Sequence, residues 1–225
     1  ALAHLGYRVG LMDVDLHGPD VPRVLGLMGM IGLSKNHKLD PMRFNDNLKV
    51  VSIESLTASK DDAIIWRGPI KYSAIRQFIA DVEWGELDFL LIDAPPGTGD
   101  EPLTVAQTIP DAKAVIVTTP QGVAVDDVRR SVSFCREMET PVIGLIENMS
   151  GYVCSHCGQV EHIFQQGGGV TLAQEMGVPF LGGIPLDPEV VRAGDQGFVY
   201  VKVHQDSPAA KAIQQIVQPI LDVDG

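Results

Sequence analysis

Cysteine is scarce in this chain, with three among 225 residues. Three cannot close a framework of paired disulfides, so a reducing interior is the expected setting. No apolar run approaches the ~20 residues of a membrane-spanning helix, and no membrane role is expected. Positive charge is in deficit too: 17 Lys and Arg stand against 29 Asp and Glu, for a net charge of −12. Nucleic-acid binders neutralise phosphates with clustered Lys and Arg, and this balance argues against that class. There is neither an initiating Met nor a signal peptide. What the absences leave is an acidic, cytoplasmic protein, whose 45% hydrophobic and 20% charged residues are ordinary for a folded domain.

What is present alternates between apolar runs and turn signals. "ALAHLG" reads as the end of a helix closed by Gly6 in a left-handed cap, so the chain as given starts inside an element. Strands are expected at 7–15, 48–56, 87–93, 112–119, 141–148 and 179–185. Several are apolar on both faces, as parallel strands covered by helices must be. Helical patterns fill the gaps at 69–84 and 121–138, and the last helix opens at Ser207-Pro208. Val125, Val128, Val132 and Cys135 form one apolar stripe, which makes Cys135 a core residue. The pattern predicts a doubly wound, mostly parallel α/β domain over 1–225, with a cysteine-bearing loop at about 149–160.

In such sheets ligands bind at the carboxyl ends of the strands. The first strand ends in "MDVD", where Asp13 and Asp15 point to one side. Two carboxylates so placed repel unless a cation or a held water relieves them; alternatively, one simply caps the next turn. The run "FLLIDAPPGTGDEP" ends an apolar strand in Asp93, the pattern of a Walker B strand whose Asp helps hold Mg²⁺ beside a phosphate. Its loop is stiff at Pro95-Pro96 and free to move at Gly97 and Gly99, while Thr98 and Glu101 have capping-box spacing.

"GLMDVDLHGPDVPRVLG", "WRGP", "LLIDAPPGTGDEPLTVAQ", "VTTPQ", "GLIENMSGYVCSHCG" and "GIPLDPEV" follow one another in order. Together they resemble the Mrp/ApbC family of deviant-Walker P-loop ATPases. These are iron–sulfur cluster carriers related to MinD and to the nitrogenase iron protein. The resemblance implies a slow, ATP-hydrolysing carrier that uses ATP and Mg²⁺. By similarity Asp15 orients the attacking water, and Asp13 and Asp93 serve the magnesium shell. Asn148 reads the adenine edge, although a turn role suits it equally, and the backbone of Pro185, Leu186 and Asp187 lines the other side of the base. The family's phosphate loop, G-K-G-G-V-G-K-[ST], has no counterpart in the 225 residues, and the resemblance would put it ahead of Ala1. Tight ATP binding depends on that loop.

Cys154 and Cys157 admit several readings. A redox dithiol normally opens a helix, whereas Gly151 and Gly158 flank this pair. Zinc completed by His156 or His162 is possible, and so are two incidental surface thiols. The resemblance implies a fourth: a [4Fe–4S] cluster bridged across a homodimer, for delivery to apo iron–sulfur proteins. Ligand arithmetic favours the same answer, since two cysteines from each of two copies make four thiolates. A zinc-stabilised module without ATPase activity is one alternative function. A MinD-like positioning ATPase is another, but it needs a basic amphipathic final helix, and Lys211 is the last helix's one basic residue. His4, His17, His37 and His204 show no ligand spacing; Trp66 and Arg67 stay outside the candidate site.

Overall fold

In the computed structural model, which describes residues 1–15, 18–56, 68–154 and 156–222, Gly6 ends a short 3₁₀ turn over Leu2–Leu5. Its φ of 97° is left-handed, a conformation that a residue without Cβ adopts freely. His17, Trp66 and Arg67 lie outside the described residues. The chain then forms β1 (Val9–Asp13), α1 (Val21–Val24), β2 (Gly32–Leu33), β3 (Leu39–Asp40), β4 (Met42–Asn45) and β5 (Leu48–Ser52). Next come α2 (Gly68–Asp81), β6 (Phe89–Asp93), α3 (Asp100–Thr108), β7 (Ala114–Thr118) and α4 (Gly122–Glu137). The remainder is β8 (Val142–Val153), β9 (Val160–Glu161), α5 (Gly168–Met176), β10 (Phe180–Leu186), α6 (Pro188–Gln196), α7 (Tyr200–Val203) and α8 (Pro208–Leu221). This is the mostly parallel α/β architecture that the strand–helix rhythm predicts.

The residues group into two compact units: Ala1–Thr108 with Arg192–Val199, and Ile109–Val191 with Tyr200–Gly225. The first holds a sheet in the order β4-β5-β1-β6. There β1 runs parallel to β5 and β6, and β4 pairs antiparallel with β5. Met12, Val14, Val51, Ile53, Ile75, Phe78, Val82 and Trp84 form its core. Gly10 is required on β1, because a Cβ there would meet Leu87 at 2.7 Å and Trp84 at 2.9 Å. The buried indole N–H of Trp84 donates to Phe78 O at 3.2 Å, so its burial leaves no polar atom stranded.

The second unit holds the parallel order β10-β8-β7, with β9 antiparallel on β8. Under it α4 and α5 bury Val132, Cys135, Leu172 and Ala173 against Ile116 and Leu145. Cys135 is therefore a core thiol, and burial pushes its ionisation up. Ser207 caps α8 by accepting from Ala210 N at 3.1 Å, and the helix buries Ile216 and Val217 before running on through Pro219. Among the described residues, no helix is long and apolar enough to cross a membrane.

Two strands are edges of their sheets among the described residues. Among the described residues β6 pairs on one side alone, with Leu91 41% exposed. In its own sheet β7 is likewise an edge, with Val115 and Val117 at 37% and 53%.

Candidate functional site

In the first unit, the carboxyl ends of β1 and β6 bring the predicted acidic residues together. Asp13 and Asp93 are direct partners in the parallel register. Asp13 is 1% exposed, with Oδ2 accepting from Ser52 Oγ at 2.9 Å and Oδ1 from Asp15 N at 3.0 Å. Burial pushes its carboxyl up to about 6; the hydrogen bonds oppose that rise and the Asp93 charge adds to it. Burial raises Asp93 as well, and the nearby Asp15 charge adds to this. Asp15 Oδ1 accepts from Gly18 N at 3.1 Å, which tightens the turn leaving β1. Three carboxylates thus share one strand end. Among the described residues no three Asp, Glu, His or Cys side chains converge as a complete metal site. The paired Asp13 and Asp93 are a donor set that suits Mg²⁺, which takes one or two carboxylates and fills its shell with water and phosphate oxygens.

The loop after Asp93 has Gly97 at a φ of 93°. The following helix, α3, starts at Asp100, with Leu103 N bonded to Gly99 O at 3.3 Å. That i→i−4 bond is the first of the helix, so its regular turns begin just after Thr98 and Gly99.

In the second unit, the expected strand 141–148 continues to Val153, because the chain runs on into a hairpin with β9. Asn148 therefore sits within β8 rather than after it, opposite Ile184 of β10. The register slips just beyond, where Leu186 pairs with Tyr152. The slip coincides with Met149 at a φ of 57°, whose N–H donates to Asn148 Oδ1 at 3.0 Å. The Asn148 amide oxygen is thus engaged by the next backbone N–H, on the strand that pairs with the one leading to Pro185, Leu186 and Asp187. Asp187 is tied down: Oδ1 accepts from Glu189 N at 2.9 Å, and Oδ2 accepts from the hydroxyl of Tyr200.

Two anchors escape sequence reasoning. Glu147 is 3% exposed and accepts from Gly169 N at 2.6 Å, pinning the start of α5 to β8. A Glu at the end of an apolar run is the one local signal for it. Tyr200 has none, since its partners are distant in sequence.

The two cysteines occupy the tip of the β8–β9 hairpin. Cys154 N donates to Gln159 O at 2.9 Å and Gly158 N to Cys154 O at 2.8 Å, with Gly158 at a φ of 74°. The backbone N–H groups of Cys157 and then His156 donate to the Cys154 sulfur, aided by the Cys157 thiol. These donors hold Cys154 below the ordinary thiol range, which favours the thiolate that binds metals. Cys157 is exposed. His162 turns its Nδ1 to Ser150 O at 3.3 Å. Among the described residues no third ligand joins the two sulfurs.

A family model described as ParA, NUBPL iron-transfer P-loop NTPase, matches residues 1–221. A curated relative, the cytosolic Fe-S cluster assembly factor NUBP2 of Bos taurus, is 45% identical over 226 residues, spanning 98% of this chain and 83% of that protein. The iron-sulfur cluster carrier protein of Saccharolobus solfataricus is 44% identical, over 99% of this chain and 76% of its own length. Among solved structures, a nucleotide-binding protein from Archaeoglobus fulgidus in complex with ADP superposes with a TM-score of 0.76. It is 34% identical, and the match covers 93% of this chain and 80% of that one. The septum site-determining protein MinD of Pyrococcus horikoshii, 20% identical with a TM-score of 0.69 over 100% of this chain and 87% of its own, shares the fold.

Proposed function

This chain belongs to the ParA family of NUBPL-type iron-transfer P-loop NTPases, and from that membership we propose that it is an ATP-dependent iron–sulfur cluster carrier of the cytoplasm. The observation that carries the reading is the hairpin tip. It presents Cys154 and Cys157 side by side, with backbone donors favouring the thiolate and no third ligand among the described residues. A two-fold dimer supplies the other two thiolates and closes the ligand set of a [4Fe–4S] cluster. The cluster is cargo, bound between subunits and passed to apo iron–sulfur proteins. A cluster held at an exposed tip is released when the subunits part, as delivery requires.

Nucleotide controls that parting. Asp13 and Asp93 hold the magnesium shell, and Mg²⁺ offsets the phosphate charge. Asp15, kept in place by Gly18 N, orients the attacking water. The base lies against the backbone of Pro185, Leu186 and Asp187, with Asn148 reading its edge. Hydrolysis is slow, because ATP here biases one dimer geometry over another instead of driving metabolic turnover.

The test is anaerobic reconstitution with iron and sulfide, followed by metal analysis and mass measurement. The wild type should hold about four iron and four sulfide per dimer, and a Cys154→Ser/Cys157→Ser variant neither cluster nor dimer. Zinc bound stoichiometrically to a monomer that takes up no iron would overturn the carrier reading.

A further inference from the structure

The phenol of Tyr200 joins three elements of the second unit. It donates to Asp187 Oδ2, beyond the end of β10, and lies 2.7 Å from Ser207 Oγ. The phenol's single proton is given to Asp187, so Ser207, which accepts from Ala210 N, turns its own proton to the phenol oxygen. The result is a one-way chain, Ser207 to Tyr200 to Asp187, ending on a carboxylate. Asp187 is fixed from its other side as well, with Oδ1 taking Glu189 N and its carbonyl taking Val190 N at 3.0 Å. Tyr200 is 8% exposed and stacks on His204 with centroids 5.2 Å apart. Burial and then the Asp187 bond push its ionisation up to about 12, so it stays a donor at any physiological pH.

Both carboxylate oxygens of Asp187 and its carbonyl are engaged within the fold, so the side chain acts on a base only by holding the backbone of 185–187 in place. Reading a base edge by main-chain groups demands that they stand still, because small misplacements cost recognition. We propose that Tyr200 is a positioning residue for base selectivity: by gripping Asp187 it fixes the 185–187 backbone that reads the nucleotide edge together with Asn148. The inference rests on the base-binding reading above. Adenine offers an amino donor where guanine offers a carbonyl acceptor, so a rigid edge discriminates between them and a loosened one does not.

The experiment measures binding of fluorescent ATP and GTP analogues to the chain with the family's phosphate-loop segment joined ahead of Ala1 and to Tyr200→Phe in the same form, with circular dichroism and thermal unfolding alongside. Phe keeps the ring and its stack on His204 while removing the bond to Asp187. The wild type should prefer ATP, and Tyr200→Phe should shrink that preference roughly fivefold or more, the scale of one charge-assisted hydrogen bond. Ser207→Ala, which costs α8 its cap, should lower the melting temperature while keeping most of the preference. A Tyr200→Phe protein that melts earlier but keeps the wild-type ratio makes Tyr200 a packing residue and overturns the inference alone. A wild type without base preference overturns the base-binding reading itself. Should Tyr200→Phe not fold, Asp187→Asn weakens the same bond and is judged on the same ratio.

Discussion

A carboxyl group 1% exposed beside the Asp93 carboxylate resists ionisation, and burial first pushes Asp13 up to about 6 from its ordinary 3.8. The sign of its effect on stability follows. Below 3.8 it is protonated in both states and its contribution is complete; between 3.8 and about 6 the unfolded chain ionises first, so stability falls as pH rises. Above that range the contribution is gone, a loss on the order of 3 kcal/mol. In chelator, the melting temperature should therefore fall between pH 4 and pH 7. Asp13→Asn should flatten most of that slope, leaving the share owed to Asp93, and should melt higher than wild type at neutral pH. An Asn variant with the wild-type slope would show that Asp13 ionises freely. The location of this chemistry is legible in the sequence, since a carboxylate ending an apolar strand has few other uses. What is not legible is that Asp13 is buried and doubly hydrogen-bonded while Asp15 is turned to Gly18, because the Ser52 partner comes from another strand. Tyr200 shows the same limit: nothing near it in sequence announces Asp187 or Ser207.

Sheet edges raise a different kind of problem. Natural edge strands carry Lys, Pro or a bulge that discourages pairing with another chain. Of the two edge strands, β6, "FLLID", has none of these before its final residue, with Leu91 41% exposed, whereas β7, "AVIVT", shifts register against β8 between Ala114 and Val115. All-apolar runs are read in sequence as parallel strands covered by helices, and strands form where that reading puts them. Their order across a sheet is set by non-local pairing, which periodicity does not encode. The same applies to β8, whose extension to Val153 comes from pairing with β9 and not from any signal after Asn148.

At the scale of the whole molecule, charge acts against assembly. Each copy carries −12, and four thiolates brought to one axis add further negative charge. Two such copies repel over distances comparable to the Debye length, ~10 Å at 0.1 M salt and ~3 Å at 1 M. A cluster-bridged dimer must hold through its iron–sulfur bonds against that repulsion. Salt should therefore tighten it: sedimentation of the reconstituted protein under anaerobic conditions should show the dimer dissociating at several-fold lower concentration in high salt than in low. The repulsion also suits a carrier, because once a recipient takes the cluster nothing electrostatic keeps the emptied subunits together. Were salt to loosen the dimer instead, opposite charges would have to meet at the interface. The subunits would then stay joined after delivery, and release would have to come from nucleotide alone.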